Sequence, residues 1–176
     1  VHYPDLVAVE FQGRKYTYKQ LISNVEMVAT ALIAAGVKKG DCVSVVTPNI
    51  PQALFMIYAI NRIGAIANMI HPLLSVNEIQ AFVENTDSVA ILTLDMIYPK
   101  FAKIKWKTSK EPKMILARIA DALPWYAKPV YSAKNKLKFS FNPQHDVIYW
   151  NDFIKDGKMA DVELPADVGK ADDVAV

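Results

Sequence analysis

The chain has 176 residues and a formal net charge of +2, with 52% apolar and 22% charged side chains. That balance excludes an intrinsically disordered polymer and suits one folded domain whose core needs no disulfide or metal staple. A single cysteine, Cys42, rules out an internal disulfide. The longest apolar run, Ala53 to Ile60, falls well short of the roughly 20 residues of a membrane-spanning helix. Asp5 and Glu10 interrupt any signal-peptide pattern at the start. A soluble, cytoplasmic protein is the expectation.

In chain order, "VAVEF" (7–11), the turn "QGRK" and "YTY" read as a hairpin. Thr17 and Gln20 form a capping box, and Tyr18, Leu21, Ile22, Val25, Val28, Ala29 and Leu32 recur at helical spacing as an inward face. Gly36 supplies a stop. "CVSVVTP" is a buried strand in which Cys42 reads as a small core thiol. Pro51 is placed to open the next helix, "PQALFMIYAINRIG", apolar almost all round until Asn61 and closed by Gly64. "AIANMI" is a strand. Ser75 and Glu78 form a second capping box, opening a helix with Ile79, Phe82 and Val83 inward.

"VAILTL" (89–94) is a continuous apolar strand, followed by a helix capped by Asp95 and running through Ile97, Phe101 and Ile104. "KMILA" gives the next strand. From 118 to 141 the periodicity fades among prolines and aromatics. "DVIYWNDF" then predicts a short strand and a helix capped by Asn151, and residues 154–172 read as a polar loop. Strands joined by helices in repeated alternation predict an α/β fold of three layers, a mostly parallel sheet flanked by helices. Its strands are expected at 43–47, 65–70, 89–94 and 114–117.

The residues that usually carry chemistry are sparse. The glycines at 13, 36, 40, 64, 157 and 169 form neither a dinucleotide fingerprint nor a phosphate loop. His2, His71 and His145 lack companions at metal-ligand spacing, so no metal site is predicted. His71, between a strand and Pro72, is the best placed of the three, with packing or hydrogen bonding as its plainer role. No serine sits in a nucleophile elbow, and the carboxylates are not paired. No catalytic residue is therefore assigned, and the cofactor-binding residues are unknown.

Charge is unevenly distributed. Residues 100–138 carry 11 basic and 2 acidic side chains, and residues 139–176 carry 3 basic and 8 acidic. Trp106 among Lys103, Lys105, Lys107 and Lys110 superficially suggests a nucleic-acid patch, but the acidic remainder leaves no extended basic face and no nucleic-acid partner is expected. Two readings of Lys100–Lys138 stay open. One is peripheral contact with anionic lipid, helped by Phe101, Trp106, Trp125 and Tyr126; the other is an ordinary solvated face.

Three passages in order say more. "YTYKQL" (16–21), "GVKKGDCVSVVTPNIPQ" (36–52) and "INRIGAIANMIHPLLSVNEI" (60–79) resemble the N-terminal region of AMP-forming adenylating enzymes. That superfamily includes acyl-CoA synthetases, luciferases and peptide-synthetase adenylation domains. "KADDVAV" (170–176) resembles the passage that precedes the family's Ser/Thr/Gly-rich phosphate loop. "NMIHPLLS" and "ALPWYAKPVY" are most similar to fatty acyl-CoA ligases, although His71 stands where acyl ligases usually carry asparagine.

The resemblance implies that residues 1–176 are a partial N-terminal domain, cut before the phosphate loop, whose catalytic residues lie beyond Val176. It further implies a full-length enzyme that joins a carboxylate, expected to be a fatty acid, to AMP using ATP and Mg²⁺ and then passes the acyl group to CoA. The fragment itself is expected to be inactive and to hold none of these ligands. An amino-acid or aryl-acid adenylation domain, and a non-enzymatic α/β binding module, are the competing readings.

Overall fold

The structure is a computed structural model and describes residues 2–124, 126–127, 129–131, 146–160 and 162–165. Strands β1 (Val7–Phe11) and β2 (Arg14–Thr17) pair antiparallel as the expected hairpin. Its turn places Gln12 and Gly13 at φ of 50° and 80°, the left-handed pair that matches the twist of a tight hairpin. The Thr17–Gln20 capping box is formed in both directions and opens α1 (Tyr18–Ala34).

A five-stranded sheet follows, with order β4-β3-β5-β6-β7 and every neighbouring pair parallel. Its strands are β3 (Cys42–Val46), β4 (Ile66–Met69), β5 (Ala90–Leu94), β6 (Lys113–Ala117) and β7 (Val147–Tyr149). The intervening helices are α2 (Pro51–Arg62), α3 (Val76–Asn85) and α4 (Ile119–Ala122), and α5 (Trp150–Met159) follows β7. The Ser75–Glu78 box that opens α3 is also formed. The predicted α/β class and the four predicted strands hold, with ends shifted by a residue at most.

Continuous apolar strands are explained by the two cores they serve. Val43 and Val45, Leu92 and Leu94, and Ile115 and Ala117 join one core with α1, α2 and α5. Val46, Ile91, Met114 and Leu116, the alternate positions, join a second core with Ile79 and Val83 of α3 and with Tyr98 and Phe101. Ser44 faces the second side too. It is buried and satisfied by Ser88 Oγ at 2.8 Å and Asn68 Nδ2 at 3.0 Å.

Several expectations fail for identifiable reasons. Tyr18, Ile22 and Phe82 are exposed, because each helix presents a narrower apolar stripe than its sequence offers. The helix expected after Asp95 is only one 3₁₀ turn (Tyr98–Lys100): the Asp95 carboxylate accepts from the adjacent Met96 N–H at 2.8 Å and caps nothing further on. Helix α5 starts at Trp150, so Asn151 lies inside it and donates to Asp121 Oδ1 at 3.2 Å instead of capping.

The same helix runs to Met159 through residues expected to be loop. Gly157 is where α5 meets α1: a Cβ there would lie 2.5 Å from Ala31 Cα. Val1, Trp125, Lys128, residues 132–145, Asp161 and residues 166–176 lie outside the described residues, and with them part of the expected acidic end and the whole "KADDVAV" passage.

Candidate functional site

The chain leaves β3 through α2, on one face of the sheet, and leaves β5 through the Tyr98 turn, on the other. β4 flanks β3 on one side and β5 flanks it on the other. The loops after β3 and β5 therefore diverge at the carboxyl ends of two adjacent parallel strands, which opens a crevice where α/β folds place ligands. A cleft of about 800 Å³ lies there, bounded by Thr47, Asn49, His71, Leu73, Met96 and Lys100 among others. That volume is within the range of small-molecule sites.

Three apolar side chains stand open at this cleft: Met69 at 45%, Leu73 at 81% and Met96 at 42% relative exposure. The polar side chains that bound it are Thr47, Asn49, His71 and Lys100. The Leu73 N–H donates to His71 Nδ1 at 3.3 Å. A ring nitrogen that accepts cannot also carry the proton, so the neutral ring presents Nε2–H as a donor. Lys100 Nζ donates to the Pro72 carbonyl at 3.3 Å, which ties the turn after β5 to the loop after β4. The Thr47 hydroxyl is buried without a hydrogen-bond partner among the described residues. None of the described residues that line the cleft is acidic.

The nearest carboxylate in sequence, Asp95, opens the turn after β5 and turns toward Met96 N–H. Burial pushes its carboxyl above the usual carboxylate range, opposed by the Met96 N–H and by Arg118. Arg118 in turn meets Asp121 Oδ2 at 3.4 Å, and Asn151 meets Asp121 Oδ1, a polar junction behind the cleft.

The loop after β3 does not suit a nucleotide's phosphates. A phosphate cradle needs several free backbone N–H groups at a helix start. Here Pro48 and Pro51 remove two of them, and Ile50 at the cap offers no side-chain bond. Among the described residues no cluster of His, Cys, Asp and Glu could hold a metal ion. The loop after β3 thus does not suit a triphosphate.

Of the residues singled out in the sequence, His71 reaches the cleft, whereas Cys42 is half-buried at the opposite end of β3. The basic segment divides. Phe101 is fully buried and Trp106 is half-buried, tilted against it at 6.3 Å, so neither aromatic faces outward; Lys103, Lys105, Lys107 and Lys110 are exposed. Among the described residues no helix is long and apolar enough to cross a membrane. Thr47 and Lys100 escaped sequence reasoning. The signal for Thr47 was present, since the residue just past each buried strand of an α/β pattern sits on the ligand-binding rim. Lys100 carried no such signal, because its place depends on a turn that the sequence reads as helix.

Comparison with known proteins places this architecture. A long-chain-fatty-acid–CoA ligase of Bacillus subtilis is 27% identical over 176 residues, covering 99% of this chain and 31% of that protein. An acetyl-coenzyme A synthetase of Candida albicans is 30% identical over 141 residues, covering 80% of this chain and 20% of that protein. This chain therefore spans about a third or less of these relatives. In fold it is similar to an anthranilate CoA ligase solved with anthranoyl-AMP, with a TM-score of 0.69 and 19% identity over 88% of this chain and 26% of that one. It is also similar to a coronafacic acid ligase of Pectobacterium brasiliense, with a TM-score of 0.66 and 18% identity over 88% of this chain and 27% of that one. The profile of the AMP-binding enzymes matches residues 1–176 throughout, and the chain belongs to that family.

Proposed function

We propose that this chain is the N-terminal part of an AMP-forming carboxylate–CoA ligase whose substrate is a fatty acid. In that reaction a carboxylate oxygen attacks the α-phosphorus of ATP and pyrophosphate leaves, giving an acyl-adenylate. The CoA thiol then attacks the acyl carbon and AMP leaves. Mg²⁺ would offset the phosphate charge in the first step. The observation that carries the reading is similarity along 99% of this chain to a protein named as a long-chain-fatty-acid–CoA ligase.

The share of residues 1–176 is a scaffold with one apolar, acid-free cleft, while the phosphate chemistry belongs to other parts of the protein. The loop after β3 supports this division, because its two prolines leave too few N–H donors for a triphosphate. The test is ATP–pyrophosphate exchange. A longer protein that begins with this sequence exchanges label when a fatty acid is supplied, and the 176-residue chain alone does not. Exchange by the 176-residue chain above a protein-free control overturns the scaffold reading. Exchange that the longer protein performs with amino acids but not with fatty acids overturns the substrate.

A further inference from the structure

We infer that a second, polar pocket, among the helices on the α1–α2–α5 side of the sheet, binds a single phosphate group that carries a proton. It holds about 200 Å³ and shares no lining residue with the cleft. Arg14 and Tyr16 of β2, Met27 of α1, Gln52 of α2, Asp121 of α4 and Lys158 of α5 meet around it. The inference stands apart from the ligase reading, and no bond of the phosphate is made or broken.

Its first support is a pair of polar groups that the fold buries without satisfying. Tyr16 is 5% exposed and Gln52 3%. The Tyr16 hydroxyl has no hydrogen-bond partner among the described residues, and burial pushes its phenol up, which keeps the proton on at neutral pH. Gln52 donates from Nε2 to Arg118 O at 3.3 Å and leaves Oε1 buried with no donor. Buried polar atoms are nearly always paired, so a donor and an acceptor left open around one pocket point to an occupant.

The second support is charge. Arg14 lies 4.7 Å above the Tyr16 ring and gives one of its five N–H donors to Asp121 O at 3.0 Å. Lys158 is exposed at the rim and makes no ion pair among the described residues. Asp121, the one acid among the described lining residues, is already engaged: Arg118 Nε meets Oδ2 at 3.4 Å and Asn151 Nδ2 meets Oδ1 at 3.2 Å. Two cations beside an engaged carboxylate make the pocket positive. Water fits the volume but leaves that charge uncompensated.

Size and the need for a proton choose the anion. At roughly 30 Å³ per water the volume equals about six waters, ample for one phosphate group. It lies below the roughly 300 Å³ at which small-molecule sites begin, so a whole nucleotide does not enter. Sulfate suits the cations equally well but brings no donor. Hydrogen phosphate brings a P–O–H for Gln52 Oε1 as well as oxygens for Arg14, Tyr16 and Lys158.

The test follows ¹³C-methyl-methionine resonances of the 176-residue chain, titrated at constant ionic strength with inorganic phosphate, sulfate or glycerol 3-phosphate. Met27 is expected to shift with phosphate, while Met56 and Met114 in the cores and Met69 and Met96 at the cleft stay in place. Sulfate should bind about 10-fold more weakly for want of the donor. Lys158→Met, on an exposed side chain, should weaken phosphate about 5-fold, less at higher salt. Tyr16→Phe keeps the ring against Arg14 and Phe55 and should weaken phosphate about 10-fold. In phosphate-free buffer its melting should match the parent's, since the hydroxyl it removes has no protein partner.

A still Met27 methyl, sulfate binding as tightly as phosphate, or phosphate binding untouched by both substitutions would overturn the inference. Movement of Met69 and Met96 in place of Met27 would overturn it too, by putting the anion in the cleft. Tighter binding of glycerol 3-phosphate than of phosphate would uphold the site and identify its occupant as a phosphomonoester; the reverse order would uphold it as a site for the free ion.

Discussion

The two faces of the five-stranded sheet are covered in different ways. On one, α1, α2 and α5 pack directly on the strands and on each other, with Ala29, Ala31, Ala59 and Gly157 allowing close approach. On the other, α3 is followed by an irregular segment from Asp95 to Pro112 that completes the cover. A helix satisfies its own backbone, but irregular chain must find acceptors elsewhere. The second face supplies them from two carboxylates. Glu84 accepts Lys107 N–H at 3.0 Å, and Asp87 accepts both Ser109 N–H at 2.6 Å and the Ser109 hydroxyl. One face is covered by packed helices, and the other adds side-chain hydrogen bonds to its apolar core.

The comparison breaks most readily at Gly157. An added methyl would meet Ala31 backbone, which cannot swing away as a flexible side chain would, so the two helices must separate. Gly157→Ala should destabilise by about 3 kcal/mol, and the melting midpoint should fall by about 10 °C for a chain of this length. Urea unfolding followed by circular dichroism measures it. Because the closest atom is Ala31 Cα, adding Ala31→Gly should not restore stability. Full rescue by that second change would mean the contact is between side chains, and the face is looser than the geometry says.

On the other face the expected effect is local. Asp87→Ala removes both bonds to Ser109, and trypsin should cut at Lys105, Lys107 and Lys110 several-fold faster with little change in global unfolding. The Ser109 hydroxyl and N–H hold the Asp87 carboxyl below its usual range, and Gln80 and then Lys107 do so for Glu84. A depressed folded value means stability present above the unfolded carboxylate range and lost as pH falls through the folded one. Acid should therefore loosen this segment first. Amide exchange at 105–110 that is no faster at about pH 3 than the rest of the sheet, after correction for intrinsic rates, would show that the carboxylates do not hold it.

The same contrast explains what the sequence made legible. Strands β3, β5 and β6 and helices α1 to α3 announced themselves because period and caps are local: Thr17 with Gln20 and Ser75 with Glu78 act within one turn. The stretch from Asp95 through Ile104 reads as helical because Ile97, Phe101 and Ile104 have helical spacing, while the acceptors that hold the following chain on another path, Glu84 and Asp87, lie about twenty residues earlier. Residues 154–159 read as loop for a related reason: the partner that Gly157 packs against, Ala31, is remote in sequence. At the cleft, His71 was visible as a strand end, but the Lys100–Pro72 bond could not be, since it joins two loops through their tertiary placement.

The smallest expected effect sharpens the comparison where the two coverings part, at Asp95. Its N–H donates to Ala117 O at 3.0 Å and its carboxylate to none; that group accepts from Met96 and sits half-buried near Arg118 and Asp121. Burial is the largest influence and raises its folded value, so the folded state takes up a proton more readily than the unfolded chain. The sign is thus opposite to that of Asp87: the charge weakens the fold at neutral pH, and the penalty is relieved as pH falls through the raised folded value. Asp95→Asn keeps an oxygen for Met96 N–H and removes the charge. The variant should melt about 1–2 °C above the parent near pH 7, with the gap closing toward about pH 3 as the parent carboxyl becomes neutral. Part of the side chain faces solvent, which keeps the gap small. A variant that melts below the parent at neutral pH would show that the attraction of Arg118 outweighs burial, and that this point of divergence is held by charge rather than in spite of it.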